Sequence, residues 1–163
     1  YVRRKYGESG PIFLTVYKWF VKEAVKLVPM PQGAEFPYWS FMNLYSLDQS
    51  AGTSTLTLSV PRDEAVFFDM YDWNKILCLK YLGEDEADEK AFQAYLKQLG
   101  VREMDAVLTG FYPDLKQKIM GSWPRLFRHH EKIRAGEESG AKSVQAALWQ
   151  IKKEWIVPEG QRQ

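Results

Sequence analysis

The sequence predicts an α+β fold: a small antiparallel sheet packed with several helices, with the C-terminal half mainly helical. Three observations carry this. Apolar residues recur at three- and four-residue spacing over most of the chain, the period of a helix with one buried face. Residues 55–60 alternate polar and apolar, the period of a strand. The two kinds of segment are grouped rather than interleaved, which argues against alternating βα units. A length of 163 residues suits one domain, residues 1–163. An apolar fraction of 45% with 15% aromatics excludes a disordered chain.

Each element follows in order. Residues 1–10 carry Arg3, Arg4, Lys5 and two glycines and read as an approach segment. Phe13, Val16, Tyr17, Phe20, Ala24, Leu27 and Val28 mark the first helix, with Lys18, Lys22, Glu23 and Lys26 between them; Pro29 and Pro31 stop it. Residues 38–45 are rich in strand formers. Residues 48–52 read as a turn, and residues 55–60 give the cleanest strand, expected to pair with a second at residues 65–68. Asp72 is placed to cap the next helix, whose inner stripe is Trp73, Ile76, Leu77 and Tyr81 and whose end is Gly83.

Five acids in residues 84–89 read as a linker and an acidic helix start, or as a cation site. Phe92, Tyr95, Leu96 and Leu99 mark a further helix ended by Gly100. Residues 101–110 are ambiguous, and residues 114–120 are helical. Ser122 is a candidate cap ahead of Pro124. Residues 135–141 form a loop. A last helix is expected from Ser143, with Val144, Leu148, Ile151 and Trp155 as its stripe and Pro158 as its stop.

Chemistry is sparsely marked. The single cysteine, Cys78, excludes an internal disulfide framework and a Cys-rich zinc site. It sits in an apolar run and reads as a small buried hydrophobe. No apolar stretch approaches the ~20 residues of a membrane span. No secretory signal opens the sequence, so a soluble, cytoplasmic protein is expected. Phosphate-loop, dinucleotide, zinc-protease and nucleophile-elbow motifs are all lacking. His129 and His130 are adjacent and cannot share one helical face, so no metal site is assigned.

Two clusters remain. Residues 116–134 hold six Lys or Arg and one acid, in a chain of net charge +1, with Trp123 and Phe127 between them. Such a patch suits phosphate, and Arg125 and Arg128 are its candidate ligands. The same residues also read as a solvated helix face. The second cluster is aromatic, with six tryptophans. Most should be core, yet each indole N–H wants a partner, and Asp69, Asp72, Asn74, Gln145 and Gln150 are the polar neighbours that could supply one. A tryptophan-lined pocket with a few polar groups is also what a planar ligand needs. Trp39, Asp69, Asp72, Trp73, Gln145 and Trp149 are therefore the candidate residues of an aromatic site. Asp69 and Asp72 lie at a strand-to-helix junction, where capping is the simpler role.

The segments Tyr17-Lys18-Trp19, Phe36-Pro37-Tyr38-Trp39, Val60-Pro61-Arg62-Asp63-Glu64-Ala65-Val66, Phe68-Asp69 with Asp72-Trp73, Ser122-Trp123-Pro124-Arg125-Leu126-Phe127 and Gln145-Ala146-Ala147-Leu148-Trp149 through Glu154-Trp155-Ile156 occur in this order. Together, over residues 17–157, they resemble a bacterial and phage family described only as a domain of unknown function. Members begin with a short strand containing Thr-Ile-Gln. That strand is not seen here, and the chain opens on Tyr1, which fits a trimmed or a divergent start. The resemblance implies kinship and no activity.

Three functional readings follow. The first is a nucleotide- or nucleic-acid-binding module using the aromatic pocket or the basic patch. The second is an enzyme of the ADP-ribosyltransferase type using NAD, suggested distantly by Thr53-Ser54-Thr55 and Glu154. The third is an adaptor with an aromatic surface for a protein partner. The sequence fixes no cofactor and no catalytic residue.

Overall fold

The computed structural model describes residues 10–43, 45 and 54–158. The sequence readings on Arg3, Arg4, Lys5, residues 48–52 and Thr53 lie outside them. The first helix, α1 (Gly10–Ala24), buries Val16, Phe20 and Ala24 along one face. It leads past the prolines to β1 (Tyr38–Phe41). A 3-10 turn, Arg62–Glu64, precedes β2 (Ala65–Asp69), which runs directly into α2 (Met70–Leu77). Then come α3 (Glu86–Leu99), α4 (Glu103–Leu108), α5 (Pro113–Ser122), a 3-10 segment Trp123–Phe127 and α6 (His130–Ala135). The last strand, β3 (Val144–Leu148), is followed by a 3-10 turn at Lys153–Trp155.

The sheet is antiparallel, in the order β1-β3-β2. Its central strand is therefore the last in sequence, where a helix was expected. The reason is physical. A central strand is buried on both faces, so the run Val144-Gln145-Ala146-Ala147-Leu148 lacks alternation and imitates a helical stripe. Pairing on both sides overrides the helical preference of its alanines.

The converse error falls at residues 55–60. Their alternation is real, since Leu58 and Val60 lie against the sheet while Leu56 is exposed. However, they form no named strand and do not pair with β2. Their backbone meets the chain's end instead: Ser59 N–H donates to Trp155 O at 2.7 Å and Val157 N–H to Thr57 O at 2.9 Å, around a Leu58–Ile156 bridge.

Register divides the sheet into two faces. Phe41, Gln145 and Phe68 share one cross-strand row, and Trp39, Ala147 and Val66 the next. This face meets α1 and α2 in the main core, where Phe20 contacts Trp39, Phe68, Trp73 and Phe127 at 5.0–5.6 Å between ring centroids. Each such pair contributes about 0.5–1.5 kcal/mol beyond area burial. The other face carries Ala65, Phe67, Ala146 and Leu148 against Ile133 of α6.

Three smaller expectations are corrected. Asp69, not Asp72, caps α2, its Oδ1 accepting from Tyr71 N–H at 2.8 Å. That helix ends at Leu77, not Gly83. Leu79 then adopts φ 57°, which turns Leu79 into the core and leaves Cys78 exposed rather than buried. Ser122 caps nothing: it closes α5, donating its hydroxyl to Ile119 O at 2.6 Å. Among the described residues no helix is long and apolar enough to cross a membrane.

Candidate functional site

The basic cluster is occupied from within. Residues 80–84 have no regular secondary structure, so their backbone groups must find partners elsewhere. Side chains supply them. Trp123 Nε1–H donates to Lys80 O at 2.9 Å, Tyr81 N–H to Glu103 Oε1 at 2.7 Å and Leu82 N–H to Ser122 Oγ at 2.9 Å. Gly83 N–H reaches Glu89 Oε1 at 3.2 Å and Glu84 N–H reaches Asp88 Oδ2 at 3.0 Å.

The arginines complete this clamp. Arg125 donates to Leu82 O at 3.1 Å and to Glu84 Oε1 at 3.2 Å. Arg128 donates through Nη1 to Gly83 O and Glu84 O at 3.1 and 3.0 Å, and through Nη2 to Asp72 Oδ2 at 2.9 Å. A planar fork with several fixed donors suits this duty better than a lysine would. Lys75 ties Glu89 at 2.6 Å and Asp72 at 3.5 Å into the same network. Burial, together with donation to the Asp88 carboxylate, holds the Tyr81 phenol above its usual range. Gly83 is required by close approach: a Cβ there would lie 2.8 Å from Asp85 O and 2.9 Å from Glu89 N. Arg125, Arg128 and Asp72 thus hold an extended segment of their own chain.

A different arrangement stands where α1, α2 and β1 meet the end of β3. Met70, Trp73, Asn74 and Leu77 follow an i, i+3, i+4, i+7 pattern, so α2 presents them on one face. With Tyr17, Trp39, Phe41 and Gln145 they line a cleft of about 280 Å³. Trp39 and Trp73 stack at 5.2 Å and 27°, and Tyr17 stands nearly perpendicular to both, 5.7 Å from each. The aromatic wall is therefore braced by its own ring contacts. No lining residue carries a charge. Gln145 is 5% exposed, and its Oε1 is buried without a hydrogen-bond partner among the described residues. An unpaired buried amide oxygen is costly, and native structures contain few of them.

The sequence-derived candidates separate accordingly. Trp39, Trp73 and Gln145 converge in the cleft. Asp69 does not line it; its carboxylate joins Tyr71 N–H to Lys142 N–H, the latter at 2.5 Å. Trp149 is buried elsewhere, donating to Val28 O at 2.8 Å. The indole N–H groups of Trp123 and Trp149 thus end on backbone carbonyls rather than on the expected polar side chains. Tyr17, Phe41, Met70, Asn74 and Leu77 were missed as lining residues, although the spacing on α2 was a usable signal. Glu154 is exposed and lies outside the cleft. Ser54 and Thr55 start no strand. Among the described residues, no group of three or more His, Cys, Asp or Glu side chains is placed to hold a metal.

No curated protein and no solved structure matches the chain significantly. A family model described as a domain of unknown function, DUF3841, matches residues 1–157. With nearly the whole chain matched, this protein belongs to the DUF3841 family.

Proposed function

We propose that this domain binds a small planar ligand in the cleft between α1, α2 and β3, and that the ligand is a nucleotide or nucleoside held by its base. The observation that carries the reading is Gln145. Its amide oxygen is buried with no hydrogen-bond partner among the described residues, and its side chain borders a cleft whose other walls are largely aromatic. Apolar walls with few polar groups suit a flat heterocycle. The absence of a charged side chain from the lining disfavours a site built around phosphate. Arg125 and Arg128, spent on residues 82–84 and on Asp72, disfavour a nucleic-acid surface there.

A thermal-shift titration with nucleosides and nucleotides tests this, followed by tryptophan fluorescence because Trp39 lines the cleft. A ligand that binds only the native state, at about 100 Kd, raises apparent stability by roughly 2.7 kcal/mol. A saturable shift accompanied by a change in emission is expected. No shift with any nucleoside up to its solubility limit would sink the reading.

A further inference from the structure

We infer that α6 is a separable flap on the outer face of the sheet, that the His130 imidazole is its latch, and that a proton taken up by this ring releases it. The inference is independent of the cleft, which lies across the sheet. α6 is six residues long, too short to be helical by itself, and it docks through two buried side chains, His130 and Ile133. Ile133 packs on Ala65 and Phe67 of β2 and on Ala146 and Leu148 of β3, a cluster separate from the main core. The His130 ring lies 6.0 Å from that of Phe67. A unit held by so few contacts opens without the rest of the fold.

The latch is the bond to Phe67. Met70 N–H donates to Ser143 O, so by the alternation of an antiparallel pair the amides of Val66 and Phe68 face β3 and that of Phe67 faces outward. His130 Nδ1 accepts this outward N–H at 3.1 Å and covers the strand edge there. The neutral ring therefore carries its hydrogen on Nε2. A second proton must enter at Nδ1, where it confronts Phe67 N–H, donor against donor.

The strands bring no titratable side chain to this cluster among the described residues. Of the adjoining 3-10 turn, Arg62 lies against Gly136, Glu64 is held by Lys152 and Asp63 is exposed. Asp69, at the end of β2, accepts from Tyr71 and Lys142 N–H. His129 and Lys132 flank the ring in sequence. Burial is the main force against the charged ring; Glu131, 3.8 Å from Nε2, favours it and Arg134 opposes it.

Hydrogen exchange of the full chain, followed by NMR between about pH 8 and 5, tests this. With the intrinsic rate divided out, protection of the Phe67 amide should hold above about pH 6.5 and fall below it by up to about tenfold per pH unit. This opening should depend little on urea, as a local event does. Val66 and Phe68 should stay better protected and exchange with the urea dependence of global unfolding. In His130→Gln, which keeps an acceptor for Phe67, protection should no longer depend on pH.

Exchange of Phe67 together with Val66 and Phe68, at one urea dependence, would overturn the flap. A Phe67 amide indifferent to pH in the unmodified protein, or a pH dependence that survives in His130→Gln, would overturn the latch. Should the variant fail to fold, the ring nitrogen shifts of the unmodified protein decide. At neutral pH they should place the hydrogen on Nε2, and a hydrogen on Nδ1 would overturn the latch as well.

Discussion

The clamp around residues 80–84 and the cleft at Gln145 are built from similar residues and end in opposite states. Both combine tryptophan with polar side chains, and both stood out in the sequence as possible ligand sites. In the clamp, eight backbone groups from Lys80 O to Glu84 O meet side-chain partners within 3.2 Å. Beside the cleft, a buried amide oxygen meets none among the described residues. Residue type therefore does not separate a structural cluster from a proposed site here. What separates them is whether the chain already satisfies its own polar groups.

The contrast is broken most severely at Trp123. This indole is 0% exposed, packs edge-on against Trp19 at 5.3 Å and carries the bond to Lys80 O. Trp123→Ala should cost about 3–5 kcal/mol in a denaturant titration. A loss below about 1 kcal/mol, within the range of an ordinary surface change, would mean that the clamp does not hold the fold.

Arg128→Ala comes next. It strands Gly83 O and Glu84 O and leaves the Asp72 carboxylate to Lys75 alone, and should cost about 2–3 kcal/mol, allowing for the partial exposure of the pair. Arg128→Lys should recover only part of this, because an ammonium cannot span the same three acceptors. If Arg128→Ala left stability intact and instead abolished retention on nucleic acid, the basic cluster would be a ligand surface after all.

Much of this was legible in advance, for reasons that differ by element. Phe13, Val16 and Phe20 announce α1 because one face of that helix is buried and the other wet. Ala65 to Asp69 is a short apolar run between breakers and reads correctly as a strand. Val144 to Leu148 misleads because burial on both faces erases the strand period. The motif Ser122 to Phe127 was visible, but its partner was not: the segment it grips lies about 40 residues earlier, at a sequence distance of 40 to 45. In the cleft, Trp39 and Gln145 could be named, whereas their meeting depends on the β1–β3 register, which no local pattern encodes.

A second buried atom without a hydrogen-bond partner among the described residues sharpens the comparison, since it does not line the cleft at Gln145. His130 is 1% exposed. Its Nδ1 accepts from Phe67 N–H on the edge strand β2 at 3.1 Å, and its Nε2 has no hydrogen-bond partner among the described residues, with Glu131 Oε1 standing 3.8 Å away. Burial, outweighing the nearby Glu131 and aided by Arg134, pushes the imidazole below its ordinary 6.5. The unfolded chain therefore binds the proton first. Its contribution to stability is complete well above pH 6.5 and falls as pH drops from there toward the folded value, with a slope of at most about 1.4 kcal/mol per pH unit. His130→Gln keeps an acceptor for Phe67 and does not titrate, so this component of the slope should vanish. An unchanged slope would place the proton uptake on another group.

The smallest effect is the most informative, because its sign distinguishes the two regions. Removing a polar partner from the clamp should always destabilise. Gln145→Leu should not: it replaces an amide whose oxygen is buried and unpaired with an apolar group of similar size, on a strand already fixed by β1 and β2. Unfolding stability should rise by up to about 1 kcal/mol, which for a chain of this length is a few degrees of Tm. Such a gain would mean that the glutamine is kept at a cost to the fold, as expected of a group held ready for a ligand. A loss of more than about 1 kcal/mol would instead show that its amide serves the native sheet, and the cleft would become a second, less complete version of the clamp.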